Sequence, residues 1–164
     1  MKTLYVHRHA KSDWESGASS DHERPLNSRG SKDAPKMAKL FALSGPHIDL
    51  LLSSTALRAR STMHFYEEAL SLPKERIALD QGIYHGNVDS LMDILEELPD
   101  NADHVMIFGH NPTFTDLCQH LDHSFTGYLC TSARVKLELD IDSWKEICSG
   151  CGSCAEHVFP KMYH

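Results

Sequence analysis

Several things are missing from this chain, and each absence removes a class of explanation. No apolar run approaches the roughly 20 residues that a membrane-spanning helix needs, so no partner membrane is expected. No block rich in Lys and Arg stands out and the formal net charge is −7, which argues against a nucleic-acid partner held by phosphate neutralisation. Internal repeats and low-complexity linkers are absent, which excludes solenoids and tethered modules. Cysteine occurs five times, an odd count that does not suit a secreted disulfide framework. The start Met1-Lys2-Thr3 runs directly into a strand-like segment in place of a signal peptide, so the expected location is cytoplasmic.

What remains is ordinary globular material: 164 residues, 41% hydrophobic and 24% charged, enough for a single domain over 1–164 with its own core. The runs Thr3–His7, Ile48–Leu52, Arg76–Leu79 and His104–Phe108 are short and apolar and end at turn-forming or charged residues, the pattern of strands buried on both faces. Between them lie helical patterns. One begins at Asn27 or Ser28 and reaches Leu43, with Pro35 implying a kink or a later start. Another covers about Ala56–Leu70, and Val88–Leu98 carries a clear amphipathic stripe closed by Pro99. Gln81–Gly86 reads as a loop. Asn111-Pro112 resembles a cap followed by proline at the first helical position, opening a helix to about Leu121. Ala133–Leu139 alternates with period two, and Trp144–Ile147 is expected to pair with it as a hairpin, with a last short strand at His157–Pro160. Alternating strands and helices predict an α/β fold: a three-layer α/β/α sandwich whose mostly parallel central sheet has an antiparallel C-terminal edge.

Chemistry concentrates where strands end, because ligands of such sheets bind beyond the carboxyl ends of the strands. Arg8-His9 ends the first strand and Gly109-His110 ends the last parallel one. Arg58 lies one turn into the helix after Ser53-Ser54-Thr55, where unpaired N–H groups and the helix dipole already favour an anion. Guanidinium groups match phosphate oxygens and imidazole is a nucleophile near neutral pH, so the set points to phosphoryl chemistry on a histidine. A local cluster of arginines makes such a pocket positive even on an acidic chain.

With these pieces in order, the chain resembles the histidine phosphatase superfamily (the phosphoglycerate mutase-like fold), and within it the small SixA-like phosphohistidine phosphatase branch. The resemblance rests on Leu4-Tyr5-Val6-His7-Arg8-His9-Ala10-Lys11-Ser12, on Arg24-Pro25-Leu26-Asn27-Ser28-Arg29-Gly30, on Ser53-Ser54 with Arg58-Ala59-Arg60-Ser61-Thr62, and on Gly109-His110-Asn111-Pro112. It covers nearly the whole chain, and the lack of a large helical insertion marks the small branch. Ala10 stands where the superfamily usually has glycine, a choice the SixA-like pattern accepts.

The resemblance implies that His9 accepts the phosphoryl group, that Arg8, Arg58 and His110 surround it, and that Asn111 and Arg24 contact substrate, with Arg29 as a further rim arginine. Three positive groups around one imidazole would keep His9 neutral and nucleophilic. The phosphoryl group then passes to water, and inorganic phosphate is the product. No metal and no cofactor is implied, and the expected state is a monomer. Mutase-type relatives carry a glutamate acid before the Gly-His strand. Here Asp80-Gln81-Gly82-Ile83-Tyr84-His85 offers no clear equivalent, which leaves Asp80, Asp13 and His85 as candidates. A weak acid favours a phosphohistidine protein as substrate over a small phosphate ester, because imidazole leaves more readily than an alkoxide. A small-molecule phosphatase or mutase, and a catalytically silent phosphate-binding module, are the alternatives.

Cys148, Cys151, Cys154 and His157 recur every third residue and offer four ligands of the kind zinc takes. Ordinary zinc sites pair two ligand knuckles across a longer spacer, so a turn with reduced thiols is the expected state of this cluster.

Overall fold

The computed structural model describes residues 1–163. The apolar runs become β1 (Lys2–Arg8), β2 (Leu50–Ser53), β3 (Ile77–Leu79) and β4 (His104–Gly109). They alternate with α1 (Ser28–Leu43), α2 (Leu57–Leu70), α3 (Gln81–His85), α4 (Val88–Glu96) and α5 (Thr113–Leu121). Strands β5 (Arg134–Leu139) and β6 (Gly152–Val158) follow. The six-stranded sheet has the order β3-β2-β4-β1-β5-β6. Strands β1 to β4 run parallel, β5 is antiparallel to β1, and β6 is antiparallel to β5. The expected α/β architecture is the one observed.

Strand alternation builds the two outer layers. Tyr5, Met106 and Phe108 face α1 and α2, packing with Met37, Phe41, Met63 and Tyr66. Their neighbours Leu4, Val6, Val105 and Ile107 face the opposite layer, against Leu91, Leu95, Phe114 and Leu117 of α4 and α5. Because both faces are covered, the strands read as continuous apolar runs and not as alternating ones. No helix among the described residues is long and apolar enough to cross a membrane.

Several local expectations are corrected. Helix α1 starts at Ser28 as expected, capped by the Asn27 side chain accepting from Gly30 N at 2.8 Å; only the alternative of a later start at Pro35 is set aside, because the helix runs through it. Gln81–His85 is a helix and not a loop, because the Asp80 carboxylate caps it by accepting from Gly82 N. Trp144 does not enter a hairpin. It opens a 3-10 turn held by a capping box between Ser143 and Glu146, with its ring fully buried and Nε1 donating to Ala102 O at 2.7 Å. The partner of β5 is instead Gly152–Val158, so the last strand begins earlier than His157 and takes in Cys154.

Candidate active site

Parallel register brings three junctions to one edge of the sheet. Arg8 lies opposite Gly109 and Ser53 opposite Phe108, so His9, Ser54 and His110 emerge together. Two backbone bonds extend the ladder beyond the strands: His9 N donates to Gly109 O and Ser54 N to Phe108 O, both at 3.0 Å. Two glycines permit the close packing beneath. A Cβ on Gly109 would lie 2.4 Å from the Phe114 ring, and one on Gly30 would lie 2.0 Å from Lys11 O. Ala10 is fully buried and lies outside the left-handed region, so a side chain is tolerated where the superfamily usually has glycine. Its N–H donates to Thr62 Oγ1 at 3.0 Å.

The resulting cavity measures about 200 Å³ and is lined by Arg8, His9, Lys11, Ser12, Trp14, Asp21, Arg24, Arg58, His110, Asn111 and Thr131. Four cationic side chains (Arg8, Lys11, Arg24, Arg58) thus face one carboxylate, Asp21, on a chain whose overall charge is negative.

The geometry decides which nitrogen of His9 is free. Its Nδ1 lies 2.7 Å from Ala10 O, and a carbonyl can only accept, so Nδ1 carries the hydrogen. Nε2 is left with a lone pair, toward which Arg58 Nε donates at 3.3 Å. Burial holds the His9 imidazole well below the usual histidine range, and His110, Arg58 and Arg8 push in the same direction. Desolvation therefore outweighs the surrounding cations as the cause of neutrality.

His110 is not the third cation. Burial, helped by Arg58, holds it down at about 4, so it is neutral near pH 7. Its Nε2 lies 2.8 Å from Ser54 Oγ, its Nδ1 is buried without a partner, and its ring centroid is 5.2 Å from that of His9. Arg8 donates from Nη1 to Leu129 O at 3.1 Å while its buried Nε is unpartnered. Arg24 is buried, donates to Ser12 Oγ and to Asp21 Oδ1, and stacks on Trp14 with Cζ 3.6 Å from the ring centroid. Asn111 reaches the cavity wall with its amide engaged elsewhere: Nδ2 donates to Leu129 O, and Oδ1 accepts from Thr115 N and Oγ1. Helix α5 accordingly begins after Pro112, at Thr113, with Asn111 tying down its first turn.

Other candidates lie elsewhere. Arg29 is exposed and pairs with Asp33 within α1. Asp80 caps α3, Asp13 accepts from Glu15 N, and His85 is exposed; none of the three lines the cavity. The carboxylate that does is Asp21, which sequence reasoning missed. Tyr84 donates to its Oδ2 at 2.7 Å, and Arg58 binds both that oxygen at 3.1 Å and the backbone carbonyl at 2.8 Å. The Tyr84 hydroxyl foremost, and then Arg58 and Arg24, hold Asp21 at about 2, so it is ionised near neutral pH. Its only signal in the sequence was a place three residues before Arg24.

The cysteine cluster does not converge. All five thiols are free, and the only group among the described residues with three potential ligand atoms close together is His47, Asp49 and His104.

A mostly parallel sheet with two histidines and three arginines gathered at its carboxyl edge defines the class as an α/β protein with a cationic pocket beyond the strand ends. The chain belongs to the histidine phosphatase superfamily (branch 1), whose model matches residues 4–115. It is 32% identical over 111 residues to an uncharacterized protein of Mycobacterium tuberculosis, a match spanning 67% of this chain and 66% of that protein's length. Its fold is similar to a structure of the protein histidine phosphatase SixA complexed with tungstate, with a TM-score of 0.85, 24% identity and 99% of each chain covered. A mycobacterial glucosyl-3-phosphoglycerate phosphatase complexed with VO3 shares the fold at a TM-score of 0.70 and 15% identity, over 95% of this chain and 98% of that one.

Proposed function

We propose that this protein is a metal-independent phosphatase that works through a covalent phosphohistidine on His9, with protein phosphohistidine as its preferred substrate. The observation that carries this reading is the His9 lone pair. Nε2 is unprotonated, buried at a cavity wall and flanked by Arg58, which suits in-line attack on a bound phosphoryl group. In the first step the bond from phosphorus to the substrate nitrogen breaks as the bond to His9 Nε2 forms, and the substrate imidazole, protonated on its other ring nitrogen, departs neutral. In the second, water attacks phosphorus, His9 Nε2 recovers its lone pair, and inorganic phosphate leaves. Arg8, Arg58 and Arg24 supply donors for the equatorial oxygens, where charge spreads in the transition state. Neutral His110 can donate a hydrogen bond to the same group, and Asn111 holds the loop that carries Leu129 beside Arg8. The oxyanions tungstate and VO3 in two relatives of the same fold support a phosphate-shaped site.

The substrate preference follows from two features. An ionised Asp21 cannot protonate an alkoxide, which disfavours phosphate esters and leaves substrates with a better leaving group. The cavity of about 200 Å³ is also smaller than the roughly 300–1,000 Å³ typical of small-molecule sites, and it suits one phosphorylated side chain presented by a protein. Trp14, mostly exposed beside it, offers an aromatic surface to such a partner.

Hydrolysis of a phosphohistidine-loaded phosphotransfer protein, measured beside a panel of sugar phosphates, tests the reading. The protein substrate is expected to turn over faster, with acid-labile label trapped on wild type and lost in His9→Ala. Preference for one sugar phosphate would overturn the substrate assignment. Phosphate binding without any turnover would reduce the protein to a silent module.

A further inference from the structure

The opposite end of the same parallel strands carries a second constellation that the phosphoryl chemistry does not use. His47 and Asp49 lie in the segment that leads into β2, and His104 is the first residue of β4, the neighbouring parallel strand. Asp49 N donates to His104 O at 2.8 Å, so the two segments are zipped together. Potential ligand atoms of the three side chains all lie within 4.8 Å of one another. His47 Nε2 is 2.7 Å from Asp49 Oδ1, and His104 Nδ1 is 3.5 Å from Asp49 Oδ2.

We propose that His47, Asp49 and His104 form a binding site for a divalent transition-metal cation, with Zn²⁺ the best match to two imidazoles and one carboxylate. Three details carry this. First, the carboxylate is held in place before any ligand arrives, because Oδ2 accepts from Asp103 N and His104 N, both at 3.0 Å, and Oδ1 meets His47 Nε2, itself a proposed ligand. Second, His104 Nδ1 is buried without a hydrogen-bond partner, a deficit that a metal would remove. Third, tetrahedral bonds of about 2.0–2.1 Å place ligand atoms about 3.3 Å apart, so small side-chain rotations convert the present spacing into a coordination shell.

Strand β4 runs from His104 to Gly109, and a rise of about 3.3 Å per residue separates this cluster from the His9 pocket by roughly 17 Å. An ion there would clamp the entries to β2 and β4 and would take no part in hydrolysis.

The test is equilibrium dialysis of the full chain against Zn²⁺, with bound metal measured by atomic emission. One equivalent is expected for wild type and none for His47→Ala or His104→Ala, while a Cys148→Ser/Cys151→Ser double variant keeps it. His47 is exposed, so its variant is expected to fold; Zn²⁺ should raise the Tm of wild type and leave that of His47→Ala unchanged. Substituted Co²⁺ should show tetrahedral d–d bands without thiolate charge transfer. Absence of stoichiometric zinc, zinc retained in both histidine variants, or a thiolate band would overturn the proposal.

Discussion

His7 and His9 lie two residues apart at the end of β1, and their surroundings differ in one respect that matters. Both rings are buried, both lie with Nδ1 2.7 Å from a backbone carbonyl (Arg8 O and Ala10 O), and both are held below the usual histidine range chiefly by burial. The second nitrogen separates them. His7 Nε2 meets the Tyr66 hydroxyl at 2.7 Å, and that hydroxyl also accepts from Arg134 Nη1 at 2.9 Å, in a chamber closed by α2 and the Phe108 ring. His9 Nε2 lies on the wall of the cationic cavity. Burial and a lowered pKa therefore do not distinguish a reactive histidine from a structural one. What the lone pair faces does.

The largest effect expected from this contrast is on turnover. His9→Gln should abolish phosphatase activity and phosphoenzyme formation, while His7→Gln should leave both in the folded fraction of the protein. Activity surviving in the first variant, measured by phosphate release, would break the comparison. Arg58→Ala comes next, with a loss of roughly 10²–10⁴ in kcat/KM, because it removes the donor beside His9 Nε2 and a source of transition-state charge stabilisation. Single-turnover kinetics should assign that loss to the phosphoryl-transfer step.

Acid sharpens the comparison through stability. His7 stays neutral in the folded chain down to about 3 and His110 down to about 4, against an ordinary value of 6.5 when unfolded. Below the ordinary value the unfolded chain binds more protons, so the folded state is fully favoured above it and loses stability as pH falls toward the folded values. Each such histidine contributes up to about 1.4 kcal/mol per pH unit in that window. Denaturant titrations between about pH 7 and about pH 5 should show a slope that His7→Gln makes shallower by about this amount.

Tyr66→Phe should cost about 1–3 kcal/mol by leaving His7 Nε2 and Arg134 without their shared partner, with kcat/KM unchanged. A change in kcat/KM there would mean that the closed chamber is coupled to the open one. The smallest effect is expected from a chelator. EDTA should leave the hydrolysis rate as it is and, through the His47 cluster, lower only the melting temperature of protein that carries metal.

The sequence determined the alternation of parallel strands with helices and the polar residues at which β1 and β4 end. Apolar runs of strand length, capped helices and two polar dipeptides at strand termini are local signals, and local spacing is what a sequence records directly. That is why Arg8, His9, Arg58 and His110 could be named before their geometry was known, and why α1 could be placed from Asn27 onward. Gln81–His85 was misread because a five-residue helix containing Gly82 has too little periodicity to oppose a turn reading. Trp144 was misread because its burial depends on Ala102, which is distant in the chain.

Everything that required two distant segments to meet was decided by tertiary structure alone. Asp21 enters the cavity only because Arg58 and Tyr84, from two separate helices, converge on it. His110 is neutral because the fold buries it, although in sequence it reads as a cation. His47 and His104 come together only because β2 and β4 are parallel neighbours that start at the same edge. Desolvation and electrostatic pairing depend on distance through space, and linear spacing does not carry that quantity.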